Sequence, residues 1–152
     1  MMRTTPFLLV LFLVLGAHSL SAKKVLSSAE FPALQCSLTG RWVNDLGSNM
    51  TIKILNANGD FIGIYYSAVS VTTKKVKVSP LLGSQHLNQP TFGFTVRWTF
   101  SDSITVFTGQ CFVDDDGKEV LRTMWLLRSR VENIKNDWKA TRVGYNEFKR
   151  LE

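Results

Sequence analysis

The sequence predicts an all-β domain of eight short antiparallel strands, closed into a barrel or stacked as a two-sheet sandwich. Three observations carry this reading. First, period-two alternation dominates after residue 39: Phe92, Phe94, Val96, Trp98 and Phe100 are apolar, while Thr91, Gly93, Thr95, Arg97 and Thr99 between them are small or polar. Second, the links between such runs are hairpin-length, with no helix-length crossover, and parallel pairing needs crossovers of that size. Third, polar residues sit beside bulky aromatics on faces that should point inward, which suits a ligand cavity better than a sandwich core. The pattern favours the barrel, whose closure removes both sheet edges, without excluding the sandwich.

From the N-terminus, Arg3, the apolar run Phe7 to Leu15 and the small-residue stretch Ala17 to Ala22 form a positive, an apolar and a cleavage region. Residues 1–21 therefore read as a secretory signal peptide, with Ser19 at the −3 position of a cut near Ser21; the apolar run is far shorter than the roughly 20 residues that cross a bilayer. The mature protein is expected to be secreted and extracellular. Residues 22–35 show no period, and Pro32 interrupts the stretch, so an N-terminal extension without fixed structure is expected there. The single domain is placed over residues 36–150. Its strands are expected near 40–44, 50–55, 61–67, 73–78, 92–100, 104–113, 119–128 and 139–148. Turn signals separate them at Asn58-Gly59, Ser79-Pro80, Gly83-Ser84, Ser101 to Ser103 and Asp114 to Gly117, with Glu132 to Asp137 as the last loop. Gly63, Gly93 and Gly109 fall inside strand patterns, where a small barrel must bend.

Charge and special residues narrow the function. Of 18 Lys and Arg, only Arg3 leaves with the leader, against 12 Asp and Glu, for a mature net charge of +5. The basic residues are spread out, and the short run Lys74-Lys75-Val76-Lys77 alternates like a solvated strand face, so neither a nucleic-acid nor a membrane partner is expected. Two cysteines, Cys36 and Cys111, in a secreted chain argue for one disulfide. Two thiols and one mature histidine, His86, are too few for a metal site. Asn49-Met50-Thr51 makes Asn49 a candidate glycosylation site.

Longer runs carry a resemblance. Cys36 to Ile52, reading CSLTGRWVNDLGSNMTI, resembles the opening of the avidin family. So do the blocks Pro90 to Val96, Val106 to Phe112, Gly117 to Leu121, Thr123 to Ser129 and Asp137 to Gly144, in order as far as Leu151. The resemblance implies an eight-stranded up-and-down barrel, a Cys36–Cys111 bridge, a homotetramer and biotin held in the barrel mouth without chemical conversion and without a cofactor. By position, it implies that Asn44, Ser48 and Tyr65 donate to the ureido oxygen, that Ser67 and Asn146 accept from the two ureido N–H groups, and that Thr105 meets the thioether sulfur. Trp98, Phe107, Trp125 and the neighbouring subunit's Trp138 would box the bicyclic ring. Ser70, the backbone of Val71 and Thr72, Ser101 and Ser103 would hold the valerate carboxylate, and Leu46, Val69, Phe100 and Leu127 complete the implied lining. Departures concentrate at the tail-binding end: Val71 is bulkier than expected, Ser67 and Ser70 stand for threonines, and the link from Pro80 to Pro90 is short. Tyr145 occupies a position that is aliphatic in the family the chain resembles and lies on a subunit interface there.

Other functions are weaker fits. Taken singly, a tryptophan is more often core than ligand wall, and Asn44 beside Asp45-Leu46-Gly47 is more often a turn former; their joint occurrence in register carries the site. An enzyme lacks any Ser/His/Asp or Cys/His set, and Asp114-Asp115-Asp116 reads as a solvated turn. A carrier for a long apolar ligand would want an all-apolar lumen. A basic defence protein would bind anionic surfaces with steep salt dependence and ignore biotin.

Overall fold

The computed structural model describes residues 36–54, 56–68 and 78–152. Over these the chain forms a closed barrel of eight strands in sequence order: β1 (Gly40–Asn44), β2 (Asn49–Ile54), β3 (Asp60–Tyr66), β4 (Val78–Gln85), β5 (Thr91–Arg97), β6 (Ser103–Val113), β7 (Glu119–Ser129) and β8 (Thr141–Arg150). Every neighbouring pair is antiparallel, and β8 closes on β1 through Trp42↔Arg150, Val43↔Lys149 and Asn44↔Phe148. Of the two architectures the alternation allows, the barrel is the one formed. The expected leader 1–21 and extension 22–35 lie outside the described residues, as do Val69, Ser70, Val71, Thr72 and the run Lys74 to Lys77.

Three expected strand positions are corrected. The alternation puts the fourth strand over 73–78, yet β4 runs Val78–Gln85 and contains both supposed turn signals, Ser79-Pro80 and Gly83-Ser84. Pro80 is tolerated because β5 pairs with β4 only from Leu81 onward, so proline costs no ladder bond on that side. Gly83 is required by packing: a Cβ there would lie 2.5 Å from the Phe61 ring and 2.6 Å from Phe94 Cβ. The fifth strand ends at Arg97, short of Phe100. Lys139 does not open the last strand but ends a 3-10 helix, Ile134–Lys139, which stands in place of the expected loop.

Three of the hairpins use one local device. Asn44, Asn56 and Asp114 each stand three residues before a glycine of positive φ, namely Gly47 (80°), Gly59 (90°) and Gly117 (78°). In each, the glycine N–H donates to the first residue's carbonyl, and that residue's Oδ1 accepts the backbone N–H groups two and four positions on. A short side chain that accepts from its own turn, with a residue free to turn left-handed after it, closes the loop without help from the barrel. Asp114 to Asp116 therefore build a turn.

Alternation then packs one end. Trp42, Met50, Phe61 and Phe148 are fully buried, and Phe94 stacks on Phe107 with ring centroids 4.5 Å apart. The chain before β1 plugs this end: Leu38 is buried, its carbonyl accepts from Trp42 Nε1 at 2.9 Å, and Arg150 lies over the Trp42 ring at 4.2 Å. Arg150 also ion-pairs with Glu119 and donates to the carbonyls of Ser37 and Thr39. The Cys36–Cys111 disulfide, with Cα atoms 6.0 Å apart, ties the plug to β6. Gly63 and Gly109 leave no room for a side chain, a Cβ lying 2.1 Å from the Thr51 carbonyl oxygen and 2.6 Å from that of Arg122, whereas at Gly93 the nearest atom is 3.3 Å away. With one end filled by aromatic rings, the interior can remain open only at the other.

Candidate functional site

A cavity of about 350 Å³ occupies the open end of the barrel, where β1, β3, β5 and β7 finish and β2, β4, β6 and β8 begin. Asn44, Leu46, Ser48, Tyr65, Ser67, Trp98, Phe100, Ser101, Ser103, Thr105, Phe107, Trp125, Leu127 and Asn146 line it, each of them a residue that the family resemblance implies. Two further lining residues, Ser129 and Arg142, are not among the sequence-predicted set. Inward parity could have found them: Ser129 continues the series Leu121, Thr123, Trp125, Leu127 on β7, and Arg142 continues Phe148, Asn146, Gly144 on β8. Trp138 is not part of this wall; it stands 82% exposed on the 3-10 helix. A larger groove of about 820 Å³ crosses β6, β7 and β8 past Phe112, Met124 and Tyr145, but it is more open than the cavity.

The walls are aromatic. Tyr65 meets the edge of Trp98 at 5.4 Å and stacks on Phe107 at 5.9 Å, and Trp98 tilts against Phe100 at 5.5 Å. Gly144, paired with Trp125 across β7 and β8, makes room for that indole: a Cβ at Gly144 would lie 2.2 Å from Trp125 Cζ2.

Of the polar residues buried among the described ones, Asn44, Ser48, Ser67, Thr105 and Asn146 line this cavity, and the backbone dictates what several can offer. Asn44 Oδ1 accepts the N–H groups of Leu46 at 3.0 Å and Ser48 at 2.8 Å, so its oxygen is spent in the turn and its amide N–H₂ is the part left over. That group reaches the Tyr65 hydroxyl at a long 3.3 Å. Ser48 Oγ accepts the Ala68 N–H at 2.9 Å, leaving its own proton to give. Burial pushes the Tyr65 hydroxyl up to about 12; a hydrogen bond with Ser48 opposes this and the charge of Asp45 adds to it. Tyr65 thus keeps its proton at neutral pH. The result is three donors at one corner.

Asn146 supplies an acceptor. Asn146 Nδ2 donates to Asp45 Oδ1 at 2.9 Å, and because a carboxylate only accepts, the amide is oriented with its oxygen away from Asp45. That oxygen receives the Trp125 Nε1–H at 2.9 Å and retains a second lone pair. Thr105 Oγ1 accepts from Trp98 Nε1 at 2.8 Å, which frees the threonine proton. At the rim, the hydroxyls of Ser101 and Ser103 are 2.5 Å apart. Such a site can hold a planar group with one strong acceptor and flanking donors, its faces against aromatic rings. Among the described lining residues no nucleophile is paired with a base. Among the described residues, Cys36, Cys111 and Glu119 come close enough to share a metal, but the two sulfurs are bonded to each other and offer no thiolate.

The chain matches known proteins along its length. A family model described as "Avidin family" matches residues 32–151. Avidin of Gallus gallus is 57% identical over 154 residues, covering 97% of this chain and 94% of that one, and avidin-related protein 4/5 of the same species is 58% identical over 152 residues with the same coverage. Among solved structures, that of a biotin-binding protein from chicken superposes with a TM-score of 0.74 at 57% identity, covering 77% of this chain and 98% of that one. Xenavidin gives a TM-score of 0.74 at 54% identity, covering 77% and 99%.

Proposed function

The chain belongs to the avidin family, and from that premise we propose that it captures biotin in the open end of the barrel and performs no reaction on it. The observation that carries this is the division of polar roles in the cavity: three donors at one corner, an oriented amide oxygen at another, aromatic walls between. Biotin's cyclic urea is the complement, with one carbonyl oxygen, two N–H groups in the same plane and apolar faces above and below. Asn44, Ser48 and Tyr65 donate to the ureido oxygen, Ser67 and Asn146 accept from its N–H groups, and Thr105 meets the sulfur. Trp98, Phe107 and Trp125 hold the ring, Leu46, Phe100 and Leu127 extend the wall, and the tail runs to Ser101 and Ser103. Val69, Ser70, Val71 and Thr72 are assigned to the tail by position in the family pattern alone.

In a dry cavity each of these hydrogen bonds is stronger than in water, and a preformed aromatic wall leaves little ordering to be done on binding. The exposure of Trp138 supports a homotetramer in which it covers a neighbour's site, since 82% of an indole left in water is an unfavourable end for a folded chain. The reading also includes secretion after removal of residues 1–21 and a glycan on Asn49, which is half-buried at the start of β2. Calorimetric titration of the folded, biotin-free protein should show one site per chain with favourable enthalpy. A flat titration would refute the proposal.

A further inference from the structure

Among the described residues that line the cavity, Arg142 is the one that carries a charge. It lies on β8 opposite Leu127, at the rim, exposed to solvent. The neighbouring arginines have acidic partners: Arg128 on β7 ion-pairs with Asp137, and Arg130, just past the end of β7, with Asp102. Arg142 has no such ion pair among the described residues. Among the described lining residues there is no carboxylate to repel an anion, and the hydroxyls of Ser101, Ser103 and Ser129 stand at the same rim as further donors. A free guanidinium at the mouth of an otherwise neutral, aromatic cavity is a charge aimed at whatever enters.

We propose that Arg142 is a specificity-determining residue that draws the free acid group of the ligand to the cavity mouth, so that the site selects carboxylate ligands over their neutral derivatives. The inference rests on the biotin reading and adds to it a residue whose work is done mainly during approach. A rim charge acts on association and on its salt dependence more than on dissociation, because it remains partly hydrated when the ligand is seated. Its reach is about one Debye length, roughly 10 Å at 0.1 M salt, so the effect should be large in dilute buffer and small in concentrated salt. An exposed pair of this kind is worth up to about 1 kcal/mol, or about fivefold.

The competing explanation is the net charge of the whole chain, which attracts anions wherever the charge sits. Lys118 separates the two. It lies in the turn between β6 and β7 at the plugged end of the barrel, and removing it changes the net charge by the same one unit. The experiment is stopped-flow association of biotin and of its neutral amide with the parent, Arg142→Gln, Arg142→Lys and Lys118→Gln, in low and high salt. In low salt the parent should take up biotin about three- to fivefold faster than the amide, and high salt should abolish the difference. Arg142→Gln should lose the preference, Arg142→Lys should keep most of it, and Lys118→Gln should keep it all. An unchanged preference in Arg142→Gln, an equal loss in Lys118→Gln, or equal rates for both ligands with the parent would each overturn the inference while leaving biotin binding intact. Failure of the parent to bind either ligand would overturn the biotin reading and this inference with it.

Discussion

Tyr65→Phe removes a single hydroxyl from the cavity and leaves its walls standing, since the ring contacts with Trp98, Phe107 and Phe148 need no oxygen. The effect on stability comes from the buried hydroxyl. In the unfolded chain a tyrosine loses its proton near pH 10, whereas in the folded chain Tyr65 holds it to about 12. Between those values the unfolded chain is deprotonated and the folded chain is not, so each pH unit costs the fold about 1.4 kcal/mol. Stability is intact well below pH 10 and falls by about 2 kcal/mol by pH 12, a large share of the 5–15 kcal/mol typical of a domain. Urea unfolding of parent and Tyr65→Phe at intervals from pH 8 to pH 12 should therefore show two curves that converge or cross. Contributions common to the two chains cancel in the difference. At neutral pH the variant should lie within about 1 kcal/mol of the parent, because the bond it loses to Asn44 is long, but biotin should bind about 1–3 kcal/mol more weakly for want of a buried donor. Parallel curves from pH 10 to pH 12 would refute the account of the buried hydroxyl, and unchanged biotin affinity would refute its role as a donor.

Gly144→Ala should displace the Trp125 indole and weaken biotin binding by about tenfold or more with a smaller loss of stability; titration and thermal melting of the same samples check the contrast. Asp45→Ala frees the Asn146 amide to rotate, and biotin affinity should fall about five- to fiftyfold while the ligand-free fold melts nearly unchanged, as paired calorimetry would show. Replacing Cys36 and Cys111 together by serine opens a link spanning 75 residues and should lower unfolding free energy by up to about 4 kcal/mol in denaturant titrations. Trp138→Ala should speed biotin dissociation and weaken assembly in sedimentation, with little effect on the barrel, because the side chain touches solvent rather than its own core.

Much of this is legible in the residues. Alternation finds the strand count and the place of most strands because inward and outward faces differ in polarity along nearly every one, and it misplaces β4, where packing overrides local signals. Pro80 and Gly83 are turn residues by composition, yet one sits where β4 has a partner on one side only and the other gives way to Phe61 and Phe94. Neither condition is local, so neither can be read from the strand itself. The site residues come from the family pattern, but their division of labour does not. That Asn44 is both turn former and donor follows from its oxygen being consumed by two N–H groups held in place by the turn at Gly47. Arg142 is hidden in the sequence because an arginine near the start of a strand reads as solvated surface until the register with Leu127 places it at the rim.

The seam between β1 and β8 has a kinetic consequence. Seven of the eight ladders join strands adjacent in sequence, whereas this one joins the two ends of the barrel through three residue pairs. Closing so long a loop is entropically slow and yields few bonds, so the seam should form last in folding and open first in unfolding. The cavity straddles it: Asn44 comes from β1, Asn146 from β8, and the Asp45–Asn146 hydrogen bond crosses between them. A molecule held by both strands is a staple across the weakest line of the barrel. It therefore slows escape from the native state more than it hastens arrival there, and a chain that has met its ligand outlasts one that has not.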